Sequence, residues 1–236
     1  MHYLATLVGP GDGPDVEPGS PEFMAEVEKY EVFEANAGAA IVGGAPLYPM
    51  DTAIEIRHTG GRTLITDGPF TEQAEVVGGF IVFDCKDLDD AIQLARQAPA
   101  AEQGAVELRP MVQWQSQGQP GPDWWLALLW ERPENVIAPD TPEWDAAVRL
   151  HEEFGQASAA ALRGGGAVQP PTTATTVRVR DGRLLLTDGP FAESEVIDGL
   201  YMFVAKDQTE ATEIAARIPC GETGRVELRR IVDLEE

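Results

Sequence analysis

The chain has 236 residues, enough for two hydrophobic cores of ordinary domain size, and carries 40 acidic against 17 basic residues for a formal charge of −23. That charge repels both a phosphate backbone and an anionic lipid surface, there is no basic run to offset it, and no apolar stretch nears the roughly 20 residues that span a bilayer. Nucleic acid and membrane are therefore not expected partners. The N-terminus lacks a basic n-region and stops being apolar too soon for a signal peptide, so a cytoplasmic setting is expected. Cys85 and Cys220 read as small buried residues rather than a disulfide, a metal pair or a nucleophile.

Tyr3 to Val8 opens the chain as an apolar strand, and a Gly/Pro/Asp loop follows to Gly19. Ser20-Pro21-Glu22-Phe23 then supplies an N-cap residue, a proline at the first helical position and an early acid. A helix starts there, with Phe23, Val27, Tyr30, Phe33 and Ala37 at helical spacing. Ala40 to Gly43 is extended, and Ala53 to Arg57 alternates in and out. With Arg62 to Thr66 it forms a hairpin across Gly60-Gly61. Gly79 to Asp84 is a strand, Asp87 caps a second helix with Leu88, Ala91, Ile92 and Ala95 on its stripe, and Glu107 to Val112 is the last strand. Residues 113–123, rich in Gln, Gly and Pro, read as a linker.

The same order then repeats. Trp124 to Trp130 reads as a buried strand, and Thr141-Pro142-Glu143-Trp144 starts a helix carrying Ala147, Leu150, His151, Phe154 and Ser158. Gly164-Gly165-Gly166, between a helix end and Pro170-Pro171, reads as a turn and lacks the phosphate-cradling pattern. A hairpin joins Thr175 to Arg180 with Arg183 to Thr187 across Asp181-Gly182. Gly199 to Val204 is a strand, Asp207 caps a helix, and Glu227 to Val232 closes the chain. Asp188 follows Asp67 by 121 residues, and after the hairpin the displacement falls to 120, as in Gly199 after Gly79. Each copy reads βα, a set of strands, then αβ. The fold class is thus α+β, with two ferredoxin-like modules of βαββαβ type at 1–112 and 124–236.

The most specific element is Thr66-Asp67-Gly68-Pro69-Phe70, which returns as Thr187-Asp188-Gly189-Pro190-Phe191. Followed by Thr71-Glu72 or Ala192-Glu193, a Gly-aromatic strand, and Val106-Glu107-Leu108-Arg109-Pro110 or its counterpart, it resembles the YCII-related family in its DGPF-type branch. The resemblance covers both modules. It implies a dimeric α+β barrel, formed here within one chain as a pseudo-dimer that buries the sheet faces a single-module relative would bury by homodimerising. Members are mostly uncharacterised, a few resemble dechlorinating or ring-acting enzymes, and DGPF-type members are often encoded beside extracytoplasmic-function sigma factors. A first-helix His facing an acid is the acid/base pair attributed to YCII-type members. That helix position is His151 in the second module and Tyr30 in the first. The Lys that usually follows the pentapeptide is absent from both copies.

The leading functional expectation is a cofactor-independent enzyme acting on a small organic molecule by proton transfer. His151 serves as acid/base, Asp188 and Glu193 as its polar partners, and Arg178 holds a substrate anion, with the first-module counterparts Asp67, Arg57, Tyr30 and Glu72 also expected to bind substrate. Plainer readings stand beside each role. Asp67 and Asp188 equally suit an Asx-turn, the arginines an ion pair that stitches the hairpin, and His151 a satisfied core position. Trp124, Trp125 and Trp130 line a cavity or belong to a core strand. The three histidines lack any metal-binding spacing, so no metal is expected. The other function class is a non-catalytic regulatory or ligand-binding protein working with a sigma factor, for which a basic partner surface would suit the negative charge. A further homodimer is compatible with either.

Overall fold

The structure is a computed structural model that describes residues 1–11, 16–68, 75–192 and 194–234. Its first half runs β1 (His2–Pro10), α1 (Pro21–Ala37), β2 (Ile41–Pro46), β3 (Ile54–Thr59), β4 (Arg62–Asp67), β5 (Glu75–Asp84), α2 (Leu88–Ala95), α3 (Pro99–Gln103) and β6 (Ala105–Ser116). The second runs β7 (Trp124–Glu131), α4 (Pro142–Ala157), β8 (Leu162–Val168), β9 (Thr175–Arg180), β10 (Arg183–Asp188), β11 (Val196–Val204), α5 (Gln208–Ala215) and β12 (Arg225–Arg230). The caps read from the sequence close the helix starts. Ser20, Asp87, Thr141 and Asp207 each accept a hydrogen bond from the backbone N–H three residues on.

The strands lie in the order β2-β5-β1-β6 in one half and β8-β11-β7-β12 in the other, antiparallel throughout. Taken without its hairpin, each half is the antiparallel α+β sheet of a split βαβ unit. The hairpins are exchanged between halves. β3–β4 of the first half pairs with β12, through Val226 opposite Ile56, and β9–β10 of the second pairs with β6, through Val106 opposite Val177. Alternation along the strands explains the fit. Ile54 and Ile56 drop into the core beneath α4 and α5, while Val177 and Val179 drop into the core beneath α1, α2 and α3.

Two more contacts bind the halves. The far end of β6 pairs with β8, and a bridge between Leu47 and Ile231 joins β2 to β12. Tyr48 N–H to Arg230 O and Val232 N–H to Pro46 O reinforce that bridge. A third core fills the space between the sheets, with Leu4, Phe80, Val82 and Met111 from one half against Leu126, Leu128, Trp130, Ile197 and Leu200 from the other. Trp124 and Trp130 belong to this core and Trp125 to the one under α4, so the tryptophan run is a core strand.

Two expectations change. Gly164-Gly165-Gly166 is not a turn but the middle of β8, a strand squeezed between β6 and β11. A Cβ at Gly164, Gly165 or Gly166 would lie 2.5, 2.6 or 2.6 Å from the carbonyl oxygens of Gln115, Leu200 and Gln113, so only glycine permits the approach. The expected linker is also shorter, because Gln113 to Ser116 continue β6 and pair with β8, leaving 117–123 as the connection.

Candidate functional site

His151 sits on α4 with its Nδ1 2.9 Å from the hydroxyl of Tyr201 on β11. The two rings are near parallel, 5.9 Å apart, and Phe154 meets the Tyr201 ring edge-on at 5.1 Å. Burial lowers the His151 pKa below its ordinary 6.5 and pushes the Tyr201 phenol up to about 12. The pair is therefore an uncharged imidazole held by an uncharged phenol at neutral pH, and Nε2 has no hydrogen-bond partner among the described residues. Neither group recurs in the first half, where the corresponding positions are Tyr30 and Ile81.

The expected acid partners do not meet this imidazole among the described residues. Asp188 ends β10, on the hairpin paired to β6, where it is exposed and makes no side-chain hydrogen bond or ion pair with the described residues. Asp67 is equally exposed at the end of β4. Their turns are held by Gly68 N–H to Ala53 O and Gly189 N–H to Ala174 O, and both carboxylates are exposed rather than turned into a cavity among the described residues. Glu72 and Glu193 lie outside the described residues.

The arginines expected to hold a substrate anion already hold carboxylates. Arg57 bonds Glu55 at 2.6 Å and reaches Glu195 at 3.4 Å, and Arg178 bonds Glu75 at 3.0 Å. Glu75 and Glu195 occupy equivalent places in the two copies, so both pairs cross between halves, a consequence of the exchanged hairpins. Tyr30 packs edge-on to Phe33 in the core beneath α1, where burial raises its phenol above the ordinary range.

Sequence reasoning missed the charges buried between the sheets. In each copy of Val-Glu-Leu-Arg the apolar residues face the helices, while Glu and Arg, two apart, face inward. The signal was the repeated alternation itself, which put charge on the strand face where core was due. Around β12, Arg225 lies 2.7 Å from Glu195, 3.2 Å from Glu227 and 3.6 Å from Glu55. Arg229 bonds Glu227 at 3.2 Å, donates to the carbonyls of Val77 and Tyr48, and contacts the Met50 sulfur. With Arg57, three guanidinium groups face three carboxylates.

Around β6 the corresponding centre differs. Arg109 bonds Glu107 at 2.5 Å and donates to Ile197 O at 2.9 Å, and Glu107 also accepts from Phe191 N–H. Ala105 stands where the other centre has Arg225, and Thr176 where it has Glu55. Arg109 Nε, in a side chain only 2% exposed, has no partner among the described residues, and neither has the buried indole N–H of Trp130. Beside them, Asp198 occupies a β-bulge at the place held by Gly78 in the first half. Burial raises its carboxyl to about 6, Arg109 pulling down and Glu131 pushing up.

Among the described residues no three His, Cys, Asp or Glu side chains converge as metal ligands. A surface cleft lined by Tyr48, Thr52, Trp125, Lys206 and Arg230 contains Trp125 but none of the expected acid/base or anion-holding residues. No helix among the described residues is long and apolar enough to cross a membrane.

Compared with known proteins, residues 11–115 and 132–235 each match the YCII-related domain. An uncharacterised protein of Rhizobium meliloti (strain 1021) is 41% identical over 69 residues, 28% of this chain and 56% of that protein, so the chain spans about half the length of the curated relative it matches. A crystal structure of a protein provisionally named chlorite dismutase aligns with 98% of this chain and 94% of its own, at 8% identity and a TM-score of 0.42.

Proposed function

The chain belongs to the YCII-related domain family in both halves, and we propose that it is a cofactor-independent acid/base catalyst for a small organic molecule, with one competent centre at His151. The observation that carries this reading is the 2.9 Å bond between His151 Nδ1 and the Tyr201 hydroxyl. It fixes the ring, leaves Nε2 unengaged among the described residues, and sits where burial keeps the imidazole neutral, the form a base needs at physiological pH. Tyr201 takes the orienting role first expected of Asp188 and Glu193. Loss of both groups from the first half restricts the chemistry to the second.

The same proposal includes an architectural reading. The eight-strand run β2-β5-β1-β6-β8-β11-β7-β12, joined end to end through Leu47 and Ile231, supports an intramolecular α+β barrel in place of a dimer of single-module relatives. The two Thr-Asp-Gly-Pro-Phe segments support the DGPF-type branch.

One observation favours the second reading, a non-catalytic ligand-binding or regulatory protein, with a sigma factor among its partners. Arg57 and Arg178, the expected anion holders, are taken up by Glu55, Glu195 and Glu75. A thermal-shift screen of small aromatic and carboxylate compounds in wild type and His151→Ala, followed by NMR of hits in D2O, separates the two. Hits that stabilise wild type alone and exchange a C–H proton for deuterium support the catalyst. Hits bound without exchange support the second reading, and hits that bind both proteins equally remove His151 from the site.

A further inference from the structure

We propose that the buried donors Arg109 Nε and Trp130 Nε1, with Asp198 beside them between the two sheets, take the carbonyl oxygen of a small uncharged organic molecule. This site is separate from His151, which lies on the helix-covered side of β11, so neither reading rests on the other.

Duplication supplies the comparison. Arg229 is the counterpart of Arg109, and both reach the carbonyl that precedes the bulge of the opposite half, Val77 or Ile197. Arg229 is well satisfied, its Nε donating to Tyr48 O. Arg109 leaves Nε buried without a partner, and the indole N–H of Trp130, on a residue 5% exposed, is in the same condition. A buried N–H without an acceptor gives up its bond to water for nothing, so two in one neighbourhood mark a missing acceptor.

The two donors belong to one neighbourhood. Arg109 donates to Ile197 O, and Ile197 is the register partner of Trp130. Phe191 packs edge-on to Trp130 at 6.4 Å, and its N–H bonds Glu107, the carboxylate that holds Arg109. By strand register the first-half residues corresponding to Trp130 and Asp198 are Val8 and Gly78, so the indole and the carboxyl are both absent from the other copy. Divergence between the copies has thus placed donors and an acid around one centre and left the other closed.

Charge selects the ligand class. Glu107 already holds Arg109, Asp198 lies within electrostatic reach of both Arg109 and Glu131, and Arg225, on the Trp130 ring at 4.7 Å, is already balanced by Glu195 and Glu227. An anion would enter a centre already rich in carboxylate. A neutral carbonyl oxygen satisfies both donors without adding charge.

The test uses the full-length 15N-labelled protein titrated with cyclohexanone and, separately, with cyclohexanecarboxylate. The Trp130 indole signal, assigned by its disappearance in Trp130→Phe, is followed. The expected result is a saturable downfield shift with the ketone, about tenfold or more weaker binding of the carboxylate, and about tenfold weaker ketone binding in Trp130→Phe. Should Trp130→Phe fail to fold, Asp198→Asn carries the test, because removing that charge should raise carboxylate affinity at least several-fold. An indole signal unmoved by the ketone, or one that keeps its exchange peak to a bound water at saturating ketone, overturns the proposal. So does ketone affinity unchanged in Trp130→Phe, or carboxylate affinity unchanged in Asp198→Asn.

Discussion

Replacing Glu55 by Thr and Arg225 by Ala, singly and together, converts the charge centre at β12 into the form its counterpart already has at β6, where Thr176 and Ala105 stand. In the native centre Arg225, 3% exposed, is shared by Glu195, Glu227 and Glu55. Arg225→Ala leaves three carboxylates with two guanidinium groups in a space where Glu227 is 1% exposed. Stranding a buried charge costs about 3–5 kcal/mol. Glu55→Thr strands a positive charge on a partner that keeps two acids, which costs less, about 1–3 kcal/mol. The double variant restores neutrality, with Arg57 and Arg229 facing Glu195 and Glu227. It should therefore be at least about 2 kcal/mol more stable than the sum of the singles predicts. The contact of Arg225 with the Trp130 ring is lost in both Arg225→Ala and the double variant, so it cancels from the coupling. Urea unfolding followed by tryptophan fluorescence, with equal m-values, measures it. Additivity within about 0.5 kcal/mol would refute the claim that the hairpin is matched to its sheet by this charge pair.

Other expected outcomes follow from single residues. The Asp198 pKa is raised from 3.8 to about 6 on folding, so the folded state holds this proton more tightly and stability from this group is lost as pH rises from about 4 to 6. Asp198→Asn should then stabilise the protein at pH 8 relative to wild type, by up to about 3 kcal/mol, with the difference vanishing near pH 4 in denaturant titrations. His151 shifts the other way. Its lowered pKa means that stability from this group is present above 6.5 and is lost as pH falls below it, and an NMR titration of the ring should give a midpoint under 6.5. Tyr201→Phe removes the hydroxyl on Nδ1 and should cost about 1 kcal/mol in thermal unfolding, and a variant as stable as wild type would mean that the bond contributes nothing. Two glycines should respond oppositely to alanine. Gly165→Ala drives a Cβ into Leu200 O and should lower stability by about 2 kcal/mol or more, whereas Gly155→Ala, in open space on α4, should raise it by about 0.5–1 kcal/mol.

Local rules settle local structure, and the elements carried by caps and periodicity were legible. Ser20, Asp87, Thr141 and Asp207 start helices because a short polar side chain satisfies an end N–H wherever the helix is packed. The glycine triplet misled for the opposite reason. Glycine serves both tight turns and close backbone approach, and only the presence of β6 and β11 on either side distinguishes them.

The sequence by itself determined that two like modules exist, what elements each contains, and that His151 has no equivalent in the first. Those facts depend on residue type, spacing and repetition. Which half each hairpin joins was decided only in three dimensions, because β3 and β9 present the same alternating pattern to either edge and the choice rests on what lies across the gap. That choice joins Arg57 to Glu195 and Arg178 to Glu75 and carries Asp188 to the edge beside β6, whereas His151 meets Tyr201 within its own half, where α4 packs on β11. The two ion pairs follow from strand pairing across more than a hundred residues, and no local pattern encodes them.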